Sequence, residues 1–118
     1  FKLDIKKVYF DINTAIPLGL IINELISNSL KYAFPEQKAW GEAENSKAEI
    51  FLSLRSDKGR VTLVIGDNGV GLPKDFNFRK TESMGLQLVN DLVAQLDGTI
   101  ELQRDGATYF EITFNVRE

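Results

Sequence analysis

The 118-residue chain contains no cysteine and no histidine. Lack of cysteine excludes disulfides, thiolate nucleophiles and thiolate metal sites. Lack of histidine excludes an imidazole base, a zinc–histidine cluster and a serine–histidine triad. Whatever chemistry occurs here uses carboxylates, amides, lysine and main chain. Positive charge is also in deficit, with 14 Lys and Arg against 17 Asp and Glu for a net charge of -3. No bulk field exists to hold a nucleic acid or an anionic membrane, so neither is an expected partner, and an anionic ligand must be held locally. The longest apolar stretch, residues 15–22, contains Pro17 and Gly19 and is far shorter than the roughly 20 residues of a membrane span. There is no basic, apolar, small-residue leader, and the chain begins at Phe1. The expectation is therefore a single domain over residues 1–118, excised from a longer polypeptide.

What is present is 43% hydrophobic and 26% charged, enough for one buried core and too apolar for disorder. Residues 7–12 alternate, with Val8, Phe10 and Ile12 on one side, and read as a short strand. A helix follows, with Thr14 as N-cap and Pro17 in the first turn, running to about Phe34 before Pro35. At about 100° per residue, Leu18, Ile21, Ile22, Leu25 and Tyr32 share one face of it. Residues 35–47 read as a polar surface loop. Residues 49–55 and the run Val61, Leu63, Ile65 alternate around a turn and form a hairpin. Residues 68–82 read as a mobile loop. Leu86, Val89, Val93 and Leu96 define a second amphipathic helix that stops at Asp97-Gly98. Residues 99–103 and 108–116 flank Asp105-Gly106, a favoured two-residue turn. Hairpins with helices between them predict an α+β class: a two-layer sandwich, with one mixed, mainly antiparallel sheet and its helices on a single face.

Three segments could carry chemistry. On the first helix Glu24, Asn28 and Lys31 are spaced i, i+4, i+7 and line up within about 60° of arc, with Asn23 and Ser27 on the border. A stripe with Glu and Lys is ordinarily a solvated face. This one, however, holds two asparagines and two serines, poor helix formers that an exposed face would replace. An asparagine amide oxygen can ligate Mg²⁺ without adding charge beside phosphates. Lys31 could reach the same phosphates, and Glu24 could accept a proton. The second segment, Asp67-Asn68-Gly69-Val70-Gly71, ends an apolar strand. Asp-Asn-Gly is an ordinary turn sequence, yet no returning strand follows Leu72-Pro73. A carboxylate fixed there can accept the exocyclic amino group of adenine and would repel guanine's carbonyl oxygen. The third segment, Ser83-Met84-Gly85-Leu86, opens the second helix with Ser83 as N-cap. A helical glycine costs about 1 kcal/mol relative to alanine, which invites a reason such as N–H groups placed against phosphate. Lys74, Arg79 and Lys80 add positive charge nearby.

In this order the pieces resemble the ATP-binding domain shared by sensor histidine kinases, DNA gyrase, Hsp90 and MutL, the GHKL or Bergerat fold. Residues 23–32 are similar to its N box, Asp67-x-Gly69-x-Gly71 to its G1 box, and residues 83–89 to its G2 box. The run from Ile16 through Pro35 looks most like the histidine kinases whose dimerisation domain is called HisKA_2. The resemblance implies Asn28 as Mg²⁺ ligand, Asp67 as adenine reader, and Gly69, Gly71 and Leu72 around the pocket floor. It further implies Lys31, Ser83, Met84, Gly85 and Leu86 near the phosphates, Tyr32 bordering the nucleotide, and Glu24 where related ATPases keep a base. Residues 72–83 would be a short ATP lid, with Phe76 and Phe78 in place of a Phe-containing box. The expected activity is Mg·ATP-dependent transfer of the γ-phosphoryl group to a histidine outside the chain. The implied partners are a histidine-bearing dimerisation domain of the same protein and a response-regulator receiver domain, within a cytoplasmic homodimer. Two alternatives of other classes are a GHKL ATPase or serine kinase, and a nucleotide-sensing module without catalysis.

Overall fold

The computed structural model describes residues 2–5, 9–30, 49–69, 84–104 and 107–116. Strand β2 (Ile50–Asp57) turns back into β3 (Arg60–Asp67). Lys58 and Gly59 both take left-handed backbone at φ 54° and 83°, the pair of positive φ values whose twist suits a two-residue hairpin. The ladder sets Leu52 opposite Ile65 and Leu54 opposite Leu63, so the alternation in both strands delivers its apolar residues to one face. Strand β5 (Thr108–Asn115) lies antiparallel along the other side of β3, and β4 (Thr99–Arg104) pairs antiparallel with β5. At the far edge β1 (Lys2–Ile5) runs parallel to β2. The sheet order is β1-β2-β3-β5-β4, which makes β3 the middle strand.

Helix α1 (Ile12–Asn28) and helix α2 (Met84–Gln95) supply the second layer. From α1 come Leu18, Ile21 and Leu25, and from α2 Leu86, Val89, Leu92 and Val93. They join Leu52, Leu54, Val61, Leu63, Ile65, Ile100, Phe110, Ile112 and Phe114 of the sheet in one core. The opposite sheet face carries Ser53, Arg55, Thr62, Glu101, Glu111 and Thr113, the polar alternates expected when helices cover one side only. The α+β two-layer sandwich is therefore the fold, with a five-stranded mixed sheet.

Three local expectations need correction. The first strand lies at Lys2–Ile5, not over residues 7–12. Of the expected strand, residues 7 and 8 are outside the described residues, and Ile12 already belongs to α1. The Asp11 carboxylate explains the early start, because its Oδ1 accepts the Thr14 N–H at 3.0 Å and caps the helix three residues ahead of Thr14. Phe10 packs on the ring of Phe114 with centroids 6.3 Å apart. The alternation of residues 8, 10 and 12 is thus divided between a core contact and a helix start. The stop of the second helix falls at Asp97-Gly98 as expected: Asp97 is left-handed at φ 55°, and the Gly98 N–H donates to the Val93 carbonyl at 3.0 Å. Gly98 answers a different need, since a Cβ there would stand 2.6 Å from the Thr113 carbonyl oxygen. Finally, Arg104 pairs with Thr108, so three residues, not two, connect β4 to β5.

Candidate functional site

Burial of Leu18, Ile21 and Leu25 fixes the rotation of α1 about its axis. Asn23 and Ser27 consequently face solvent, while Glu24 and Asn28 sit half-buried at the rim of the core. Past Asn28 the chain passes into a wider π-type turn at residues 29–30, a local irregularity that often accompanies functional sites. Ser29 lies four residues after Leu25, on the buried side of the helix, and is only 8% exposed.

At the end of the middle strand stands Asp67, 6% exposed. The Ser29 hydroxyl donates to its Oδ2 at 2.7 Å in a buried contact. The Gly69 N–H donates to its Oδ1 at 3.0 Å, closing an Asx turn. Asn68 works in the opposite direction. Its Oδ1 accepts the Glu49 N–H at 2.9 Å, and its own N–H donates to the Glu49 carbonyl at 3.2 Å, continuing the β2–β3 ladder past Ile50 and Asp67. The three residues of Asp67-Asn68-Gly69 thus fix where the strand ends and how the carboxylate is oriented.

The Ser29–Asp67 bond joins residues 38 apart in sequence and brings the end of α1 against the end of β3. Asn28 is therefore beside the clamp that holds Asp67. Its Nδ2 is buried and has no hydrogen-bond partner among the described residues. A buried amide donor without a partner costs about 1–3 kcal/mol, so a native site that keeps one calls for an explanation such as a ligand. Among the described residues no group of three or more carboxylates or imidazoles could enclose a metal ion. The orphan is a donor and suits an acceptor such as a phosphate oxygen; Mg²⁺ would use the other amide atom, the Asn28 Oδ1, with its remaining positions filled by water and phosphate oxygens.

The remaining expected residues are placed as follows. Met84 opens α2 and is exposed, Gly85 is the second residue of α2 and half-buried, and the Leu86 side chain is committed to the core. Lys31, Tyr32, Gly71, Leu72 and Ser83, together with the basic residues and phenylalanines of the lid, lie outside the described residues. Of these, the structure joins Asp67 and Gly69 by a hydrogen bond, while Asn28 directly precedes Ser29, which bonds Asp67, and Glu24 lies one helical turn before Asn28. Sequence reasoning did not single out Ser29. Its signal was available: Leu18, Ile21, Leu25 and Ser29 follow one apolar helical face, and a lone hydroxyl on such a face needs a buried acceptor. Nothing in the sequence points to the Glu49–Asn68 pairing.

Comparison with known proteins gives the family and agrees on the fold. Residues 13–118 match the family model described as histidine kinase-, DNA gyrase B-, and HSP90-like ATPase. The sensor histidine kinase PdtaS of Mycobacterium tuberculosis is 32% identical over 96 residues, 79% of this chain and 17% of that protein. The blue-light-activated histidine kinase 2 of Erythrobacter litoralis is 26% identical over 95 residues, covering 80% of this chain and 25% of its own length. The chain therefore spans a quarter or less of these curated relatives. Among solved structures, the histidine kinase domain of the Erythrobacter litoralis EL346 blue-light activated kinase superposes with a TM-score of 0.80 at 22% identity, over 97% of this chain and 50% of that one. Acinetobacter baumannii histidine kinase AdeS gives a TM-score of 0.75 at 21% identity, over 99% and 54%. Its structural neighbours share the same sandwich, and with a matching family model over residues 13–118 the chain belongs to the histidine kinase-, DNA gyrase B- and HSP90-like ATPase family.

Proposed function

We propose that this domain binds Mg·ATP and presents the γ-phosphoryl group to a histidine carried by a separate dimerisation domain of the same protein. The observation that carries the proposal is the meeting of α1 and β3, where Ser29 clamps Asp67 and the preceding Asn28 has a buried Nδ2 with no partner among the described residues. Asp67 is an acceptor-only group with lone pairs left over after its two internal bonds, which suits the exocyclic amine of adenine. Asn28 would hold the metal through its amide oxygen. When bound, Mg²⁺ neutralises charge on the phosphate oxygens. Phosphoryl transfer needs little covalent chemistry from the protein, so the work of Asn28, Lys31 and the N-terminal turn of α2 is positioning and charge complementarity. Tyr32, Gly71, Leu72, Ser83, Met84, Gly85 and Leu86 complete the proposed nucleotide contacts. To Glu24, half-buried one turn before Asn28, this reading assigns the orienting or deprotonation of the attacking group.

In the intact protein we propose a cytoplasmic homodimer whose phosphohistidine passes its group to a response-regulator receiver domain. Among the described residues, no helix is long and apolar enough to cross a membrane. The test is to mix the domain with a histidine-bearing dimerisation domain of the same protein and labelled Mg·ATP. Label on the acceptor that is labile in acid and stable in base supports the proposal. Acid-stable label points instead to a serine kinase, and release of phosphate without transfer points to an ATPase with Glu24 as base.

A further inference from the structure

We infer that the Ser29 hydroxyl is the positioning group that aims the Asp67 carboxylate at a purine amino group, and so sets nucleobase selectivity. This rests on the adenine-reading role proposed above for Asp67 and adds a residue to it. A carboxylate with one internal hydrogen bond can still swing about the bond to its Cβ. Asp67 has two, from different elements: main chain in its own turn at 3.0 Å on Oδ1, and Ser29 on α1 at 2.7 Å on Oδ2. Together they fix the plane of the carboxylate. Each oxygen keeps lone-pair capacity for a ligand, because an ionised carboxyl offers about four acceptor sites.

The chemistry of the hydroxyl matters as well as its position. A serine has one proton, and Ser29 gives it to Asp67, so what remains on Oγ is acceptor capacity alone. Both side chains then present acceptors and no donor. An amino group is welcome at such an edge, whereas a carbonyl oxygen meets repulsion with no compensating bond. Ser29 is itself held by the buried face of α1, four residues beyond Leu25 and 8% exposed. The aim of the carboxylate is therefore referred to the helix that also carries Asn28, and the base and metal ends of the site share one rigid frame.

The decisive measurement is the dissociation constant of Mg·ATP and of Mg·purine riboside triphosphate, which lacks only the amino group, for the 118-residue chain and for Ser29→Ala and Asp67→Asn. The wild-type chain is expected to favour ATP, and Asp67→Asn to remove that preference. Ser29→Ala is expected to weaken ATP about tenfold while changing the analogue by less than about twofold, since a group acting through the amine has nothing to aim at in the analogue. Equal losses with both ligands would show Ser29 to be merely structural and would overturn the inference, as would an unchanged ATP affinity. A wild-type chain that binds neither ligand, or both alike, overturns the adenine-reading role itself. That outcome is distinct from a selective wild type whose selectivity ignores Ser29.

Discussion

Replacing Asn28 by alanine should stabilise the free chain and abolish the magnesium-dependent part of its response to ATP. Asn28 Nδ2 is buried with no partner among the described residues, an arrangement that costs about 1–3 kcal/mol. Alanine removes the donor and gains about 0.5 kcal/mol of helix propensity over asparagine. What is lost is the packing of a half-buried polar side chain, at most about 1 kcal/mol. The net expectation is a gain of about 1 kcal/mol, or roughly 4 °C in Tm for a domain of this size. Ligand linkage moves the other way. At about 100 times its dissociation constant, Mg·ATP should add about 2.7 kcal/mol to the wild-type chain, and the magnesium-dependent part of that increment should vanish in Asn28→Ala. The assay is thermal unfolding of both chains alone, with Mg·ATP, and with ATP plus a chelator. Unfolding of free Asn28→Ala below the wild type would refute the reasoning that the amide is uncompensated. A full magnesium-dependent increment in the variant would refute its role as ligand.

Other outcomes follow from single features of the fold. Gly66→Ala places a Cβ 2.8 Å from the Phe51 ring, against the Tyr109 side chain and the Thr108 carbonyl; overpacking of this kind should lower stability by about 1–3 kcal/mol in urea unfolding. Ile21→Ala empties a fully buried position between helices and sheet, and a loss of about 2–5 kcal/mol is expected in the same experiment. Asp97→Gly, at φ 55° beyond α2, should raise stability by about 0.5–1 kcal/mol because glycine adopts left-handed backbone without steric cost. A decrease there would show that the Asp97 side chain contributes more than its backbone strain removes.

Much of the fold could be read from residue alternation, because strands covered on one face must alternate. Leu52 and Leu54, then Val61, Leu63 and Ile65, then Phe110, Ile112 and Phe114 all face the helices as their spacing predicts. The helical periodicities succeeded for the same reason: Leu18, Ile21, Leu25, Val89 and Val93 are buried. Boundaries were less legible because they depend on one polar side chain choosing among several N–H groups. Asp11 and Thr14 both have the chemistry of a cap, and only the structure shows that Asp11 accepts from Thr14. At the site, residue types pointed to Asn28 and Asp67, since asparagine is a poor helix former and no returning strand follows the Asp-Asn-Gly turn. Ser29 escaped because its meaning lies in a partner 38 residues away, and local composition carries no record of such a pairing.

That span of 38 residues also orders events as the molecule forms. The β2–β3 hairpin and each helix can arise from near neighbours, but the bond between Ser29 and Asp67 exists only after α1 has docked on the sheet. Contacts of high sequence separation close late because the chain entropy of the intervening loop must first be overcome. Recovery of nucleotide affinity should consequently lag recovery of secondary structure during renaturation. Loss of that affinity should be an early sign that the two layers have begun to part.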